Sequence, residues 1–576
     1  MPGVLESYDL TAIQSGMLVH ALRSPGRGLD IQQIVARQPE AYEREAFAAA
    51  WAAVMARHPA LRTAFEWHDR ETPRQLVHAP DDVTLPITED DWSALAPGEQ
   101  DERLRDFLRT DRTRDFDLAC PPLMRVHLVR LSPAASLFVW TFHHALLDGR
   151  AFHLVVEDLY AALDGAGVEA LSPSPAFRDY VDWLAKLDPQ PARAYFKHRL
   201  EGFTQPTRLW LDGYDIPERP APGEPPGAGG SAPFGAAEGH IDQATTAALV
   251  TRARDAGVSL NTLVLGAWAL LLHRLSGENN IVFGATRTCR HAFEGADRII
   301  GPLINTLPLR VDVNPDQPLR DWLQALRRQT TDLQAVGHTP LIDAQACSDV
   351  ATGGQLFETI VVYDRQDLND RLHENGGAWT ERTFAYQGQT NYPLALVAYG
   401  GTRLSLRIEH DRDRFSDASG ARILAYLETL LTNISRAAPE ARVGSIDMLP
   451  EQEAQSLVAR GQAWTTSSPA GTLHDRFDDV AARFPDRSAA TFDGASLTYR
   501  ELSDRSNALA RLRRDRGIGR NDLVGVALER GLDLVVAILG ILRAGGAYLP
   551  LDPAYPRERL DFMRQDAGAT TVVTNR

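Results

Sequence analysis

An apolar run that ends in two histidines and is followed by a helical pattern constrains the fold of this chain most strongly. Residues 135–142, ASLFVWTF, have the composition of a buried strand. The sequence HHALLDG follows at 143–149, and apolar residues then recur with helical spacing from Phe152 to Tyr160. The stretch is therefore predicted to be a strand-to-helix junction.

Such a junction can hold side chains rigidly in a cleft. Neighbouring side chains of a strand point to opposite faces, so His143 and His144 are expected to have different roles. Asp148 could orient an imidazole or pair with an arginine, and Gly149 would permit close approach of a ligand. An imidazole titrates near ~6.5, so one histidine could act directly on an incoming nucleophile.

Two other interpretations of the same residues stay open. The histidines could be a buried pair beside an aspartate that caps the loop. They could also bind zinc, although the spacing offers no convincing third ligand.

The rest of the first 450 residues alternates helix and strand patterns. Residues 41–58 predict a helix, and Ser259–Leu272 predicts a buried helix that is too short and too polar to span a bilayer. Residues 211–240 are rich in Pro and Gly and predict a mobile loop, in which GAGGS lacks the flanking strand and helix of a phosphate-binding loop. Further strands are predicted at residues 277–287, 301–311 and 400–415, with a closing helix at 416–437.

Length, charge and cysteine content narrow the class of protein. A chain of 576 residues predicts several domains. A net charge of -16 argues against a nucleic-acid partner and against an anionic membrane. The three cysteines are too sparse for a disulfide framework, and residues 1–18 lack the features of a signal peptide. We therefore expect a cytoplasmic protein.

The pattern changes after residue 448. Residues 449–470 predict a short helix followed by a polar linker, and a new alternation of helices and strands starts near Thr472. The chain ends soon after the predicted strand TTVVTN, before such a domain could be completed.

The HHxxxDG pattern of residues 143–149 resembles that of the condensation domains of nonribosomal peptide synthetases. Other segments are similar to motifs of this family, in family order over about residues 5–450. These segments are LTAIQSGML (10–18), RHPALRTAF (57–65), FRDYVDWL (177–184), IGPLINTLPLRV (300–311), LFETIVVYDRQ (356–366) and DRDRF (411–415).

The last hundred residues resemble the beginning of an adenylation domain. LTYREL (497–502) and LRAGGAYLPLDP (542–553) are similar to its first two motifs. A Ser/Thr/Gly-rich nucleotide loop is absent from the sequence, so we expect no ATP chemistry from this chain.

The resemblance implies an α/β fold (α+β, two-layer) like that of chloramphenicol acetyltransferase, with two lobes in a V around a tunnel. The expected boundaries are residues 1–175 for the first lobe with HHxxxDG, 176–448 for the second lobe, 449–470 for a linker and 471–576 for a partial adenylate-forming subdomain.

The same resemblance implies the roles of individual residues. His144 would be the catalytic histidine, with His143 behind it. Asp148 would be structural and paired with Arg62. Gly149 would allow close approach at the tunnel, and Asn305 would lie near the tunnel on the other lobe. No bound cofactor and no metal are implied.

The implied activity is amide formation between a donor acyl or peptidyl thioester and an aminoacyl acceptor. Both substrates would be carried on the phosphopantetheine arms of peptidyl carrier proteins, and the donor would arrive on a separate protein if Met1 is the native start. His144 would either remove a proton from the amine, whose pKa is about 8, or hydrogen-bond the amine and the tetrahedral intermediate.

Related activities are the alternatives. A starter-type domain would transfer a fatty or aryl acyl group, and Arg150 stands where many condensation domains have Trp, so the subtype stays open. Three further interpretations are epimerisation, acyl transfer from free coenzyme A thioesters, and a non-catalytic platform that recruits carriers or tailoring enzymes. Heterocyclisation is disfavoured because both histidines are present.

Overall fold

The computed structural model describes residues 3–68, 72–165, 174–209, 233–351, 354–462 and 471–575. The chain divides into two compact units, Met1–Gln455 and Ser456–Arg576. The predicted linker, 449–470, contains a helix at Glu451–Gln462. Its remaining residues, 463–470, lie outside the described part of the chain.

The first unit is a mixed α/β structure. Its strands are β1 (Val4–Asp9), β2 (Ile31–Gln38), β3 (Thr63–Glu66), β4 (Arg74–His78), β5 (Ile87–Asp91), β6 (Met124–Ser132), β7 (Ala135–His143), β8 (Phe234–Ile241), β9 (Asn280–Thr288), β10 (Ile304–Asp312), β11 (Thr359–Asp364), β12 (Thr383–Gln387), β13 (Leu394–Tyr399) and β14 (Leu404–Asp411).

Helices cover and connect these strands. They are α1 (Ala12–Arg23), α2 (Arg44–Arg57), α3 (Pro97–Arg112), α4 (Gly149–Leu163), α5 (Phe177–Leu184), α6 (Gln190–Leu200), α7 (Gln243–Ala256), α8 (Leu260–Ser276), α9 (Leu319–Ala335), α10 (Leu341–Gln345), α11 (Leu368–His373), α12 (Asp417–Arg436) and, at the junction of the units, α13 (Glu451–Gln462).

The first lobe is built on a five-stranded sheet with the order β12-β2-β7-β6-β5. Strand β7 is central and almost entirely buried, as its apolar sequence predicts. Helices α2 and α4 pack on one face, where the rings of Trp51 and Trp140 lie 5.1 Å apart in the core. A small sheet, β1-β4-β3, completes this lobe.

The second lobe is built on a six-stranded sheet with the order β10-β9-β11-β13-β14-β8. Helix α8 is its most buried helix, with an unbroken run of buried residues from Thr262 to Leu272. The Ser259 side chain accepts a hydrogen bond from the Thr262 N–H at its start, and Gly277 ends it in the left-handed conformation. The predicted buried helix at 259–272 is therefore present.

The lobes are not consecutive in the chain. The predicted boundary at 175/176 assigns all later residues to the second lobe, whereas β12 pairs antiparallel with β2 and forms an edge of the first sheet. The Arg382 guanidinium lies 2.9 Å from Glu40, and the Tyr386 hydroxyl donates to Gln32 Oε1 at 2.6 Å. Strand β12 has only five residues, and nothing in its sequence indicates which of the two sheets it joins.

The predicted loop at 211–240 is wrong at its end, because residues 234–241 form β8 and pair along their whole length with β14. The remainder of that prediction, with the GAGGS segment, lies outside the described residues. The glycines of β8 serve close packing, since a Cβ on Gly235 would collide with His410 and Asp417, and one on Gly239 with Glu428.

The second unit contains short strands and helices around a small core. They are α14 (Leu473–Arg483), β15 (Ser488–Phe492), β16 (Ala495–Thr498), α15 (Tyr499–Asp515), β17 (Leu523–Ala527), α16 (Leu532–Ala544), β18 (Ala547–Pro550), α17 (Arg557–Asp566) and β19 (Thr571–Thr574). Strand β17 pairs in parallel with β18 and β19.

Among the described residues, no single helix is long and apolar enough to cross a bilayer. Helices α7 and α8 reach the required length and hydropathy only as a pair, and they meet at an angle of 97°.

Candidate active site

A cavity of about 1520 Å³ lies between the two lobes of the first unit. Residues of the predicted site line it from both sides, with His144, Asp148 and Gly149 on the first lobe and Asn305 on the second. The chain therefore brings together, in one cavity, residues that are more than 150 positions apart in the sequence.

His144 is the half-buried histidine at the cavity wall, directly after β7. Its Nδ1 lies 2.7 Å from the Leu147 carbonyl oxygen. Because a carbonyl oxygen only accepts hydrogen bonds, Nδ1 carries the proton in the neutral ring and Nε2 keeps its lone pair. The tight turn from His144 to Leu147 thus fixes the tautomer that can accept a proton from a substrate.

His143 has a different environment, as the alternation of a strand predicts. It is 2 % exposed, and its Nδ1 accepts a hydrogen bond from the Ala145 N–H at 3.2 Å. Burial lowers the pKa of His143 to about 4, and the neighbouring Asp30 carboxylate opposes this effect only in part. His143 is therefore neutral at pH 7 and supports the turn below His144.

Asp148 joins the two lobes. One oxygen, Oδ1, caps α4 by accepting from the N–H groups of Arg150 and Ala151 at 3.1 and 2.9 Å. The same oxygen lies 2.5 Å from Nη2 of Arg290, and Oδ2 accepts from the Leu303 N–H at 2.8 Å. The carboxylate is fully buried and is satisfied by a guanidinium and three backbone donors.

The expected pairing of Asp148 with Arg62 is wrong. Arg62 lies in the turn Pro59–Arg62, where it donates to the carbonyl oxygens of Met55, Ala56 and His78. It thereby ties the end of α2 to β4. The resemblance of RHPALRTAF to its family motif identifies a structural arginine correctly but not its partner.

Gly149 is the first residue of α4, and its backbone conformation is one that any residue adopts. A Cβ at this position would meet only the Phe152 ring, at 4.0 Å. The protein's own packing does not require glycine here, so the space above its Cα belongs to the cavity.

Asn305 holds the opposite wall from β10. Its amide nitrogen donates to the carbonyl oxygens of Gly337 and Thr339 at 3.0 and 2.6 Å. These bonds fix the loop after α9 to the first residues of β10, which line the cavity. The expected location of Asn305 near the tunnel is present in the structure, and the residue acts there as a support.

Arg290 is the site residue that the sequence did not reveal. Besides Asp148, it donates to the carbonyl oxygens of Asp297, Ile299 and Gly301 and so organises the segment before β10. It stands in TRTCRH (286–291), where a second arginine, Arg287, lies three positions earlier and no pattern distinguishes the two. Only the contact across 142 positions identifies it.

The residues fit acyl transfer better than metal chemistry. In the described ranges, no group of three or more His, Cys, Asp or Glu side chains is arranged to hold a metal ion. The site instead has an imidazole that can accept a proton, a buried ion pair that holds the start of α4, and a large cavity between the lobes. These features suit the attack of an amine on an activated carbonyl.

Comparison with known proteins identifies the family. The condensation-domain family model matches residues 4–458, and the AMP-binding enzyme model matches residues 477–576. Linear gramicidin synthase subunits B and C of Brevibacillus parabrevis are 36% and 35% identical over 580 and 575 residues, each covering 98% of this chain. The chain spans 11% and 7% of the length of these two relatives.

Solved structures show the same fold. The nonribosomal peptide synthetase FmoA3 superposes with a TM-score of 0.74 at 21% identity, over 100% of this chain and 59% of the other. The starter condensation domain of rhizomide synthetase RzmA superposes with a TM-score of 0.59 at 18% identity, over 77% of this chain and 98% of the other. The motifs, the site and these matches agree, and the chain belongs to the condensation-domain family, with the start of an AMP-binding enzyme domain after it.

Proposed function

We propose that this protein joins the acyl or peptidyl group of a donor thioester to the amine of an aminoacyl thioester, in the assembly of a nonribosomal peptide in the cytoplasm. Both substrates would be carried on the phosphopantetheine arms of carrier proteins. The observation that carries this proposal is the orientation of His144, whose Nδ1 is bound to the Leu147 carbonyl so that Nε2 can accept a proton in the cavity.

The chemistry requires one bond to form and one to break. The acceptor nitrogen attacks the donor carbonyl carbon to give a tetrahedral intermediate. As the carbon–sulfur bond breaks, the amide remains on the acceptor arm and the donor arm leaves as a thiol. His144 Nε2 would take the proton that the nitrogen loses and return it to the departing sulfur, so the ring ends the cycle neutral.

Positioning supplies another part of the rate. Two tethered arms that enter one cavity turn a bimolecular reaction into an intramolecular one, which can contribute about 7–11 kcal/mol. Asp148 and Arg290 support this by holding the end of α4 against the segment before β10. A proton-accepting group at His144 would add roughly 10²–10⁴-fold.

The test is a single-turnover reaction followed by intact-protein mass spectrometry. The protein is mixed with an acyl-loaded donor carrier and an aminoacyl-loaded acceptor carrier, using aminoacyl, peptidyl and fatty acyl donors in parallel. Transfer of mass to the acceptor supports the proposal, and the donor that reacts fastest separates peptide extension from starter-type acylation.

Variants assign the chemistry. His144→Ala should lower the rate by roughly 10²–10⁴-fold, whereas His198→Ala, at an exposed position of α6, should leave it unchanged. If both carriers bind but no donor reacts with the wild-type protein, amide formation is refuted and a carrier-recruiting platform is favoured. Full activity of His144→Ala would refute the role of the imidazole.

A further inference from the structure

One buried carboxylate in the cavity wall, that of Asp30, has no role in the mechanism above. Asp30 is 4 % exposed and lines the cavity immediately before β2. Among the described residues, its Oδ2 has no hydrogen-bond partner. A buried carboxylate oxygen that lacks a good hydrogen bond is costly, so its presence in a cavity wall points to a cationic group that binds there.

His20 of α1 lies beside this oxygen. Its Nδ1 lies 3.4 Å from Asp30 Oδ2, too far for a good hydrogen bond, and it also has no hydrogen-bond partner in the described ranges. On the other side of the ring, Nε2 lies 3.0 Å from the amide nitrogen of Asn391. Because that nitrogen donates, the neutral ring carries its proton on Nδ1 and faces Asp30 with a donor.

Asp30 is also fixed directly beside the catalytic histidine. Its carbonyl oxygen accepts a hydrogen bond from the His144 N–H at 2.7 Å, and the next residue, Ile31, pairs with His143 in the sheet. The backbone of Asp30 is left-handed, with φ 58, a conformation that aspartate tolerates better than most residues. Both Asp30 and His144 line the same cavity.

We propose that Asp30, held next to His20, binds the ammonium group of the aminoacyl acceptor and places its nitrogen at His144. This inference rests on the proposed function and names the part of the site that recognises the acceptor. An α-amine has a pKa of about 8, so most acceptor molecules arrive as cations near pH 7. A carboxylate attracts this form. The bound ammonium then releases one proton to solvent, and the neutral amine that results attacks the donor carbonyl and passes its second proton through His144 to the departing sulfur.

The charge has a consequence for the pH profile. A carboxylate beside an ammonium stabilises the charged form and raises the pKa of the bound amine. Without it, the neutral nucleophile would form at lower pH, while the affinity for the acceptor would fall. Within the part of the chain that the structure describes, the titratable groups that interact with Asp30 are His20 of α1, His143 of β7 and Tyr392 of the segment after β12. Burial lowers the pKa of His143 and raises the pKa of Tyr392, so both are neutral near pH 7.

Two matched ligands test the binding directly. Alanyl-pantetheine amide and propanoyl-pantetheine amide differ only in the amine, and in both an amide replaces the reactive thioester. By calorimetry at pH 7, the wild-type protein should bind the first at least about tenfold more tightly, as a charged hydrogen bond predicts. Asp30→Asn keeps the shape and tolerates the left-handed backbone, and it should abolish the preference.

Controls separate charge from structure. Asp81→Asn, an exposed position with the same change of charge, should keep the preference. Asp30→Gly also suits the left-handed backbone and replaces Asp30→Asn if that variant fails to fold. In the transfer assay, Asp30→Asn should raise the KM for the acceptor about tenfold and move the acidic limb of the kcat profile to lower pH.

The outcomes distinguish this inference from the proposed function. Equal binding of the two ligands to the wild-type protein, or an unchanged preference in Asp30→Asn, overturns the role of Asp30 even if transfer is fast. Absence of transfer with every donor would refute amide formation, while a preference for the amine-bearing ligand that depends on Asp30 would still establish the cation site.

Discussion

At the residue scale, the site depends on two adjacent histidines that the fold places in different environments. His144 lies in the cavity wall with its tautomer fixed by Leu147, and His143 is buried behind it. Strand alternation predicted that the two rings have different environments, and the family resemblance implied that His144 is the one at the tunnel. The sequence could not predict the Leu147 contact, which depends on the turn between β7 and α4.

His143 should make the stability of the protein depend on pH. Burial lowers its pKa to about 4, below the value of ~6.5 expected for the unfolded chain, so the unfolded state binds the proton first. This contribution is fully present above about pH 6.5 and is lost as the pH falls to about 4. In denaturant unfolding, the free energy of unfolding of the wild-type protein should rise by about 3 kcal/mol more than that of His143→Gln between about pH 4 and 6.5. An unchanged slope in the variant would contradict a buried, neutral His143.

The partner of Asp148 can be tested by double-mutant cycles. Asp148→Asn and Arg290→Ala should each lower the free energy of unfolding by about 3–5 kcal/mol, because each leaves a buried charge or donor unpaired. The two effects should be coupled by more than about 1 kcal/mol, whereas Asp148→Asn and Arg62→Ala should be additive. Coupling with Arg62 and additivity with Arg290 would restore the pairing that the family resemblance implied.

At the element scale, long apolar segments were predictable and glycine-rich ones were not. The predicted helices at 41–58 and 416–437 correspond to α2 and α12, and the strand before the histidines is β7. Strand β8 was missed because FGAAEGHI has the composition of a loop. Its glycines are explained by the side chains of β14 and α12 that pack against them, which the local sequence does not contain.

Close packing of α5 gives a prediction at the same scale. A Cβ on Gly301 would collide with the Phe177 ring of α5, so Gly301→Ala should lower the free energy of unfolding by about 1–3 kcal/mol. Gly98→Ala is the matched control, since its Cβ, in the first turn of α3, would meet nothing within 4 Å. We expect the control to leave the stability unchanged or slightly higher. Equal effects of the two substitutions in chemical denaturation would contradict this packing.

At the scale of the whole molecule, the chain has two compact units with separate cores. We therefore expect two transitions in calorimetry. Leu270→Ala, in the core of the first unit, should lower the free energy of unfolding of that unit by about 2–5 kcal/mol and shift only its transition to lower temperature. Ile541→Ala, in the core of the second unit, should do the same to the other transition. A single transition that moves with both substitutions would show that the units unfold together.

The two-lobed architecture was predictable through the family resemblance, since the motifs occur in family order along the first 450 residues. The border between the lobes was not predictable. Strand β12 belongs to the first sheet but follows four of the six strands of the second sheet in the chain. Its sequence, TFAYQ, would suit either sheet. Pairing between distant segments depends on the assembled core, so it cannot be predicted from the five residues of one strand.

That returning strand bears on how genes for such proteins can be recombined. A crossover placed between residues 176 and 382 would supply β12 from one parent and its pairing partner β2 from the other. The hybrid would then need to match Tyr386 to Gln32 and Arg382 to Glu40 across the junction between parents. Exchange of residues 1–455 as one block keeps these inherited pairs together, so the whole first unit, rather than either lobe, is the natural module for shuffling.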